Sequence, residues 1–142
     1  MARPVSVLAV EDDEEDLQLL KAAFRRANIP VFFTATTDGG DARSIIEKTL
    51  GDGTDRSLDL IFLDLNLPTV DGREILAWMR SNDALSNIPI VVLTGALDDK
   101  SAAYADRFDD VLCFEKPGDL ATMTHIVNQG VRALTSRSVG GD

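Results

Sequence analysis

The chain has little of what disulfide scaffolds, soft-metal sites and acyl-transfer enzymes are built from. It holds one cysteine and one histidine. A single cysteine excludes an internal disulfide and suits a reducing compartment. The histidine, His125, falls mid-helix near the far end of the chain, so no base-and-hydroxyl pair is at hand for ester hydrolysis. Cations are scarce too, with 14 Lys and Arg against 24 Asp and Glu and a net charge of −10. Nucleic-acid affinity comes from cations at phosphates, so no nucleic-acid partner is expected. Acidity of this kind serves solubility. No apolar run approaches the roughly 20 residues of a membrane span. The opening MARPVSVLAV lacks the separate apolar region and cleavage site of a signal peptide. A cytoplasmic protein with no membrane partner is therefore expected. No GxxxxGK[ST] phosphate loop occurs, which weighs against nucleotide hydrolysis. Without repeats or a linker, the 142 residues are expected to form one domain, with its core over about 5–135 and a flexible polar tail at 136–142.

What the chain does have is a set of apolar segments that stop abruptly at polar residues. The run 58–72 reads LDLIFLDLNLPTVDG. Its apolar part reads as a strand buried on both faces, and it ends at Asp64. Open α/β sheets place their ligands at the carboxyl ends of strands, and a carboxylate there is poorly explained by stability alone. Val5–Val10 ends the same way at Glu11-Asp12-Asp13; the apolar stretch 88–93, with Pro89 inside it, ends at Thr94-Gly95, and Val111–Phe114 leads into Glu115-Lys116-Pro117.

Helical patterns alternate with these strands. The spacing predicts helices over 13–28, 41–50, 71–82, 98–108 and 118–134, with a further strand over Val31–Thr36 and a polar, Gly-rich loop at 51–57. Acids in the first turn of the first helix suit its dipole. The helix over 98–108 has the weakest apolar stripe. Five strand–helix units imply a doubly wound parallel sheet with helices on both faces and right-handed crossovers.

In such a sheet Glu11, Asp12 and Asp64 gather at one edge. Crowded carboxylates raise a pKa or bind a cation. With no His or Cys nearby the cation is a hard one, and Mg²⁺ fits because it keeps its waters and takes one or two carboxylates. Taken alone, Glu11-Asp12-Asp13-Glu14 is also what a solvated helix start looks like. The convergence with Asp64 and Lys116 is what argues otherwise. Thr94 taken alone is an ordinary strand terminus, but Gly95 beside it leaves it open to approach. Lys116 at the mouth of an acidic pocket suits an anion. Carboxylates, a divalent ion, a hydroxyl and an ammonium together suit a phosphoryl group, and the nucleophile left is a carboxylate: Asp64, forming an acyl phosphate.

Over about 6–134 the chain resembles a receiver domain of the two-component response-regulator superfamily. The resemblance is carried by Glu11-Asp12 after the first strand, Asp64 in LDLNLPTVDG, Thr94 in VVLTG, and Lys116-Pro117, all in order and spacing. The DLNLPxxDGRE wording and the lack of an output domain also resemble single-domain regulators paired with phytochrome-type histidine kinases. The resemblance implies a five-stranded flavodoxin-like sheet of strand order 2-1-3-4-5. It implies that Asp64 accepts a phosphoryl group from a sensor histidine kinase. Asp12, Asp64 and the Asn66 carbonyl would hold Mg²⁺ (or Mn²⁺), with Glu11 acting through water. Lys116 would pair with Asp64 and then with a phosphoryl oxygen, and Thr94 would hydrogen-bond the phosphoryl group. The protein would be a phosphoacceptor that also loses its own phosphate, rather than an enzyme acting on other substrates. Asn66 and Ala96 would flank the approach.

A downstream protein, or a second copy of the chain, would dock on the face made by the helix over 98–108, the last strand and the last helix. The family's usual Tyr or Phe three residues before this Lys is replaced by Cys113, with Phe114 beside it. Either a shifted strand lets Phe114 serve as the moving aromatic, or that switch is missing. Cys113 itself reads as a small buried residue rather than a redox group. Two other classes compete. An Mg²⁺-dependent phosphatase would need a second acidic residue as general acid or a substrate cap, and no insertion is long enough for a cap. A pseudo-receiver would have lost Glu11, Asp12, Asp64 or Lys116, and none is lost.

Overall fold

The two central apolar runs become the strands with every residue buried: β3 (Leu60–Asp64) and β4 (Ile90–Thr94). Each is covered on both faces, as continuous apolar runs require. In the computed structural model, which describes residues 4–51, 58–67, 71–95, 99–108 and 110–140, they form the middle of a five-stranded sheet. β1 (Val5–Val10), β2 (Val31–Thr36) and β5 (Val111–Glu115) complete it in the order β2-β1-β3-β4-β5, all parallel. This is the expected doubly wound topology.

The period of two along each strand divides the core in two. Leu8, Val10, Ile61, Leu63, Ile90 and Val92 face α2 (Gly39–Gly51), α3 (Gly72–Ser81) and α4 (Asp99–Asp106). Val7, Ala9, Leu60, Phe62, Val91 and Leu93 face α1 (Glu14–Arg26) and α5 (Leu120–Gly140). Each large side chain buried here contributes about 1.5–3 kcal/mol.

Several element ends differ from expectation, each for a local reason. α2 starts at Gly39 because the Asp38 carboxylate accepts from the Gly40 and Asp41 amides at 2.7 and 3.3 Å, a cap that overrides two glycines. β3 starts at Leu60 rather than at 58, because Asp59 turns its carboxylate onto the Ser6 amide at 2.9 Å. α5, expected to stop at 134, continues to Gly140; the polar residues there include no proline, and Gly-Gly comes only at 140–141. The loop at 52–57, Pro68, Ala96, Asp98 and residues 141–142 lie outside the described residues.

Gly72 ties the fold to the site. A Cβ there would stand 2.3 Å from the Asp64 carbonyl oxygen and 2.6 Å from the Leu65 Cα. Only a glycine lets α3 begin this close to the end of β3, and the Gly72 amide donates to the Leu65 carbonyl at 3.0 Å. Asp71 caps the helix by accepting from Arg73 at 2.9 Å.

Candidate functional site

Register brings the four strand ends together. β1 and β3 align Val10 with Leu63, so Glu11 and Asp64 end side by side. β3 and β4 align Asp64 with Leu93, and β4 and β5 align Thr94 with Glu115, one residue before Lys116. The Lys116 amide donates to the Thr94 carbonyl at 2.7 Å, pinning the last strand end to its neighbour.

Asp64, Glu11 and Thr94 are buried at this edge, with 4%, 6% and 1% of their surface exposed. Such burial of two carboxylates is tolerated only where they are paired. The partner is Lys116. Its Nζ lies 3.1 Å from Asp64 Oδ2, 2.8 Å from Glu11 Oε1 and 3.0 Å from Asp16 Oδ2. The other Asp64 oxygen, Oδ1, accepts from the Asn66 amide at 2.9 Å. The Asn66 side-chain amide reaches to 3.5 Å from the Thr94 hydroxyl.

Charge is shared unevenly in this cluster. Burial opposes the Lys116 charge, but hydrogen bonds to Glu11 and Asp16 and the charges of Glu11 and Asp64 outweigh it, holding the ammonium above its ordinary pKa. Glu11 moves the other way from a paired acid. Burial pushes it up to about 7, against the pull of Lys116 and of the Asp13 amide, with the Asp64 charge adding to the rise. The two shifts are compatible because one ammonium serves three carboxylates, so each acid gets only part of it.

Glu11, Asp12 and Asp64 can each offer a carboxylate oxygen within 4.8 Å of the others. Asp12 is exposed and the other two are buried. An all-oxygen set of this kind fits a small hard cation open to water on one side. The structure thus brings Glu11, Asp12, Asp64, Asn66, Thr94 and Lys116 to one place. Two wider clefts, of about 280 and 350 Å³, lie at the opposite ends of the strands, around Leu58, Pro89, Asp110 and Gly130, away from this chemistry.

The sequence reading took Asp16 only as a first-turn acid. A signal for more was present: side chains in a helix lean toward its N-terminus, so an acid one turn after a strand-end cluster faces the same cleft. Register also decides between Cys113 and Phe114. Cys113 packs with the α2–α3–α4 side and Phe114 with the α1–α5 side. No shifted strand carries Phe114 across, so the α4 side of β5 has no aromatic at this point. Burial pushes the Cys113 thiol up, with the Asp106 charge adding to it, which makes it a poor thiolate.

Residues 7–128 match the response regulator receiver domain family, and the chain belongs to it. Response regulator Rcp1 of Synechocystis sp. (strain PCC 6803) is 36% identical over 103 residues, which cover 71% of this chain and 70% of Rcp1. The crystal structure of the phosphorylated cyanobacterial phytochrome response regulator RcpA matches with a TM-score of 0.77 and 28% identity, over 89% of this chain and 91% of that one. The Mn²⁺-bound form of Rcp1 matches with a TM-score of 0.76, also at 28% identity, over 89% and 91% of the two chains. Among the described residues no helix is long and apolar enough to cross a membrane.

Proposed function

We propose that this receiver takes a phosphoryl group from the phosphohistidine of a sensor histidine kinase onto Asp64, in the cytoplasm, and passes the signal on by a change of shape. The observation that carries this reading is Asp64 itself. It is a buried carboxylate at the centre of the sheet edge, with an ammonium on one oxygen, an amide on the other and two further carboxylates beside it. A role in stability alone does not call for that arrangement.

In the transfer, an Asp64 oxygen attacks phosphorus. The P–N bond of the phosphohistidine breaks, and its electron pair stays on the imidazole nitrogen, which takes up a proton. An acyl phosphate is left on Asp64. Lys116 stays as counter-charge, moving one N–H from the carboxylate to a phosphoryl oxygen, and the Thr94 hydroxyl donates to another. Glu11, Asp12, Asp64 and the Asn66 carbonyl would hold Mg²⁺ or Mn²⁺, which when bound offsets the charge on the phosphoryl oxygens. Water attacking the same phosphorus breaks the new P–O bond and returns Asp64 to its carboxylate. The likeness to RcpA, a phytochrome response regulator, favours a phytochrome-type kinase as the donor. The partner downstream, or a second copy, would meet the face of α4, β5 and α5.

The test is incubation with acetyl phosphate and Mg²⁺ followed by intact mass. One added phosphoryl group is expected, labile to hydroxylamine and absent when metal is chelated. An Asp64→Asn chain that is labelled as well as the parent, or a label that survives hydroxylamine, would overturn the assignment.

A further inference from the structure

Lys116 is held by one more group than the phosphoryl chemistry uses. A lysine ammonium has three N–H donors, and here three carboxylates meet them, Glu11 at 2.8 Å, Asp16 at 3.0 Å and Asp64 at 3.1 Å. Asp64 is the acceptor and Glu11 stands among the metal-holding acids. Asp16 belongs to neither set.

Asp16 is firmly placed. It lies in the first turn of α1, and its own amide donates to the Asp13 cap at 3.1 Å. The next residue, Leu17, is buried in the core beneath α1. The Asp16 carboxylate therefore reaches Lys116 from a helix that packing holds in position.

Lysine is a point charge on a flexible four-carbon stem, so its aim depends on what surrounds it. Glu11 already meets Nζ with both oxygens, at 2.8 and 3.0 Å. Without Asp16, two of the remaining acceptor oxygens near Nζ would belong to Glu11 and one to Asp64, an imbalance that would favour drawing the ammonium toward Glu11. Of the three carboxylates on Lys116, Asp16 is the one outside the set that would hold a metal, so its hold on the ammonium would not compete with that metal.

We propose that Asp16 is a positioning residue for phosphoryl transfer: it anchors the Lys116 ammonium to the first turn of α1 so that one N–H stays aimed at the phosphoacceptor Asp64. This rests on the reading of Asp64 as the phosphoacceptor. A purely structural role would be that of a helix-dipole acid, which the exposed Glu14 and Glu15 fill equally well.

The experiment compares the full chain with Asp16→Asn, Asp16→Glu and Glu15→Gln. The first readout is the rate of phosphorylation by acetyl phosphate at saturating Mg²⁺. Asp16→Asn should slow it about tenfold, the scale of one charge-assisted hydrogen bond. Asp16→Glu should recover most of the loss, and Glu15→Gln should change the rate less than about twofold. In a Lys116→Gln background the Asp16→Asn change should have no further effect, because its route of action is already gone. An equal slowing in that background, or a slowing by Glu15→Gln as large as that by Asp16→Asn, would overturn the proposal.

The second readout needs no phosphoryl transfer. The side-chain ¹⁵N signal of Lys116, in protein without metal or donor, should be sharp in the parent and Asp16→Glu chains and broadened by proton exchange in Asp16→Asn. An unchanged signal would show that Asp16 does not hold the ammonium. If the parent itself takes no phosphoryl group, the reading of Asp64 falls, and the Lys116 signal still decides whether Asp16 is its anchor.

Discussion

The ends of β1 and β3 and the edge formed by α4 and β5 are made of the same strand-and-helix unit, yet they are held with different firmness. Every residue of β3 and β4 is buried, and Glu11 and Leu65 continue that burial past the ends of β1 and β3. β5 has four half-buried residues and one exposed, and in the eight-residue α4 Ala105 is buried while Tyr104 is only half-buried, on the side of Val111 and Cys113. The difference suits a division of labour. In-line transfer needs a nucleophile and counter-charge that do not wander. A readout needs an element that moves at low cost, and such elements have few buried apolar contacts. The proposed division, chemistry at the centre and response at the edge, matches where the sheet is thick and where it ends.

The largest expected effect breaks the firm region. Gly72→Ala places a Cβ against two backbone atoms that cannot move aside, the Asp64 carbonyl oxygen and the Leu65 Cα. We expect a loss of about 3 kcal/mol in urea unfolding. Gly118→Ala, where a Cβ meets nothing within 4 Å, should stay within about 0.5 kcal/mol. Equal effects would mean that the strand-end packing is not as tight as the geometry shows.

A second prediction uses pH. Glu11 titrates at about 7 when folded, against 4.5 as its ordinary value. The folded state therefore binds this proton more tightly than the unfolded state. Its contribution to stability is greatest below pH 4.5, falls as pH rises from 4.5 to about 7, and is level above. Glu11→Gln should remove that slope and raise the melting temperature at pH 8 in the absence of metal. Added Mg²⁺ should flatten the slope of the parent. Thermal melts from pH 5 to 8 would show it, and a parent whose stability rises over that range would contradict the account of Glu11.

Turning to the edge, Cys113→Tyr restores an aromatic three residues before Lys116. Cys113 is half-buried on the side of Tyr104 and Phe108, so the ring should crowd them at a cost of about 1 to 2 kcal/mol. Phosphorylation at Asp64 should be unaffected. A changed phosphorylation rate would show that position 113 reaches the chemistry.

These regions also differ in how plainly the sequence announces them. The strands were legible because each apolar run halts at a charged or hydroxyl residue: Asp64 and Thr94 stand where two of those halts fall, and Lys116 one residue past a third, at Glu115. Their roles in catalysis and metal binding are a separate matter for the experiments above. Asp16 was hidden because its partner, Lys116, lies 100 residues away and only the lean of a first-turn side chain brings them together. The place of Phe114 was hidden for a different reason. Alternation along β5 says that it and Cys113 lie on opposite faces, but only the register with β4 says which helices lie on each. The start of α2 was missed because two glycines argue against a helix more loudly than one Asp38 cap argues for it.

The smallest expected effect concerns a tie between the two regions. The Tyr104 hydroxyl donates to the Arg73 carbonyl at 2.9 Å, and Arg73 follows Gly72 in the turn that abuts Asp64. α4 is thereby fastened to the frame that holds Asp64. Tyr104→Phe keeps the ring packed edge-on to Phe108, 5.3 Å between centroids, and removes only the hydroxyl. Global stability should fall by about 1 kcal/mol or less. Amide exchange should speed up in α4 and leave β3 unchanged, with phosphorylation at Asp64 within about twofold of the parent. Beryllofluoride, as a phosphoryl mimic, should then alter exchange across 93–116 more readily in this variant, because one bond resisting movement of the edge is gone. If exchange in β3 rises as much as in α4, the frame and the edge open as one unit, and the division drawn between them fails.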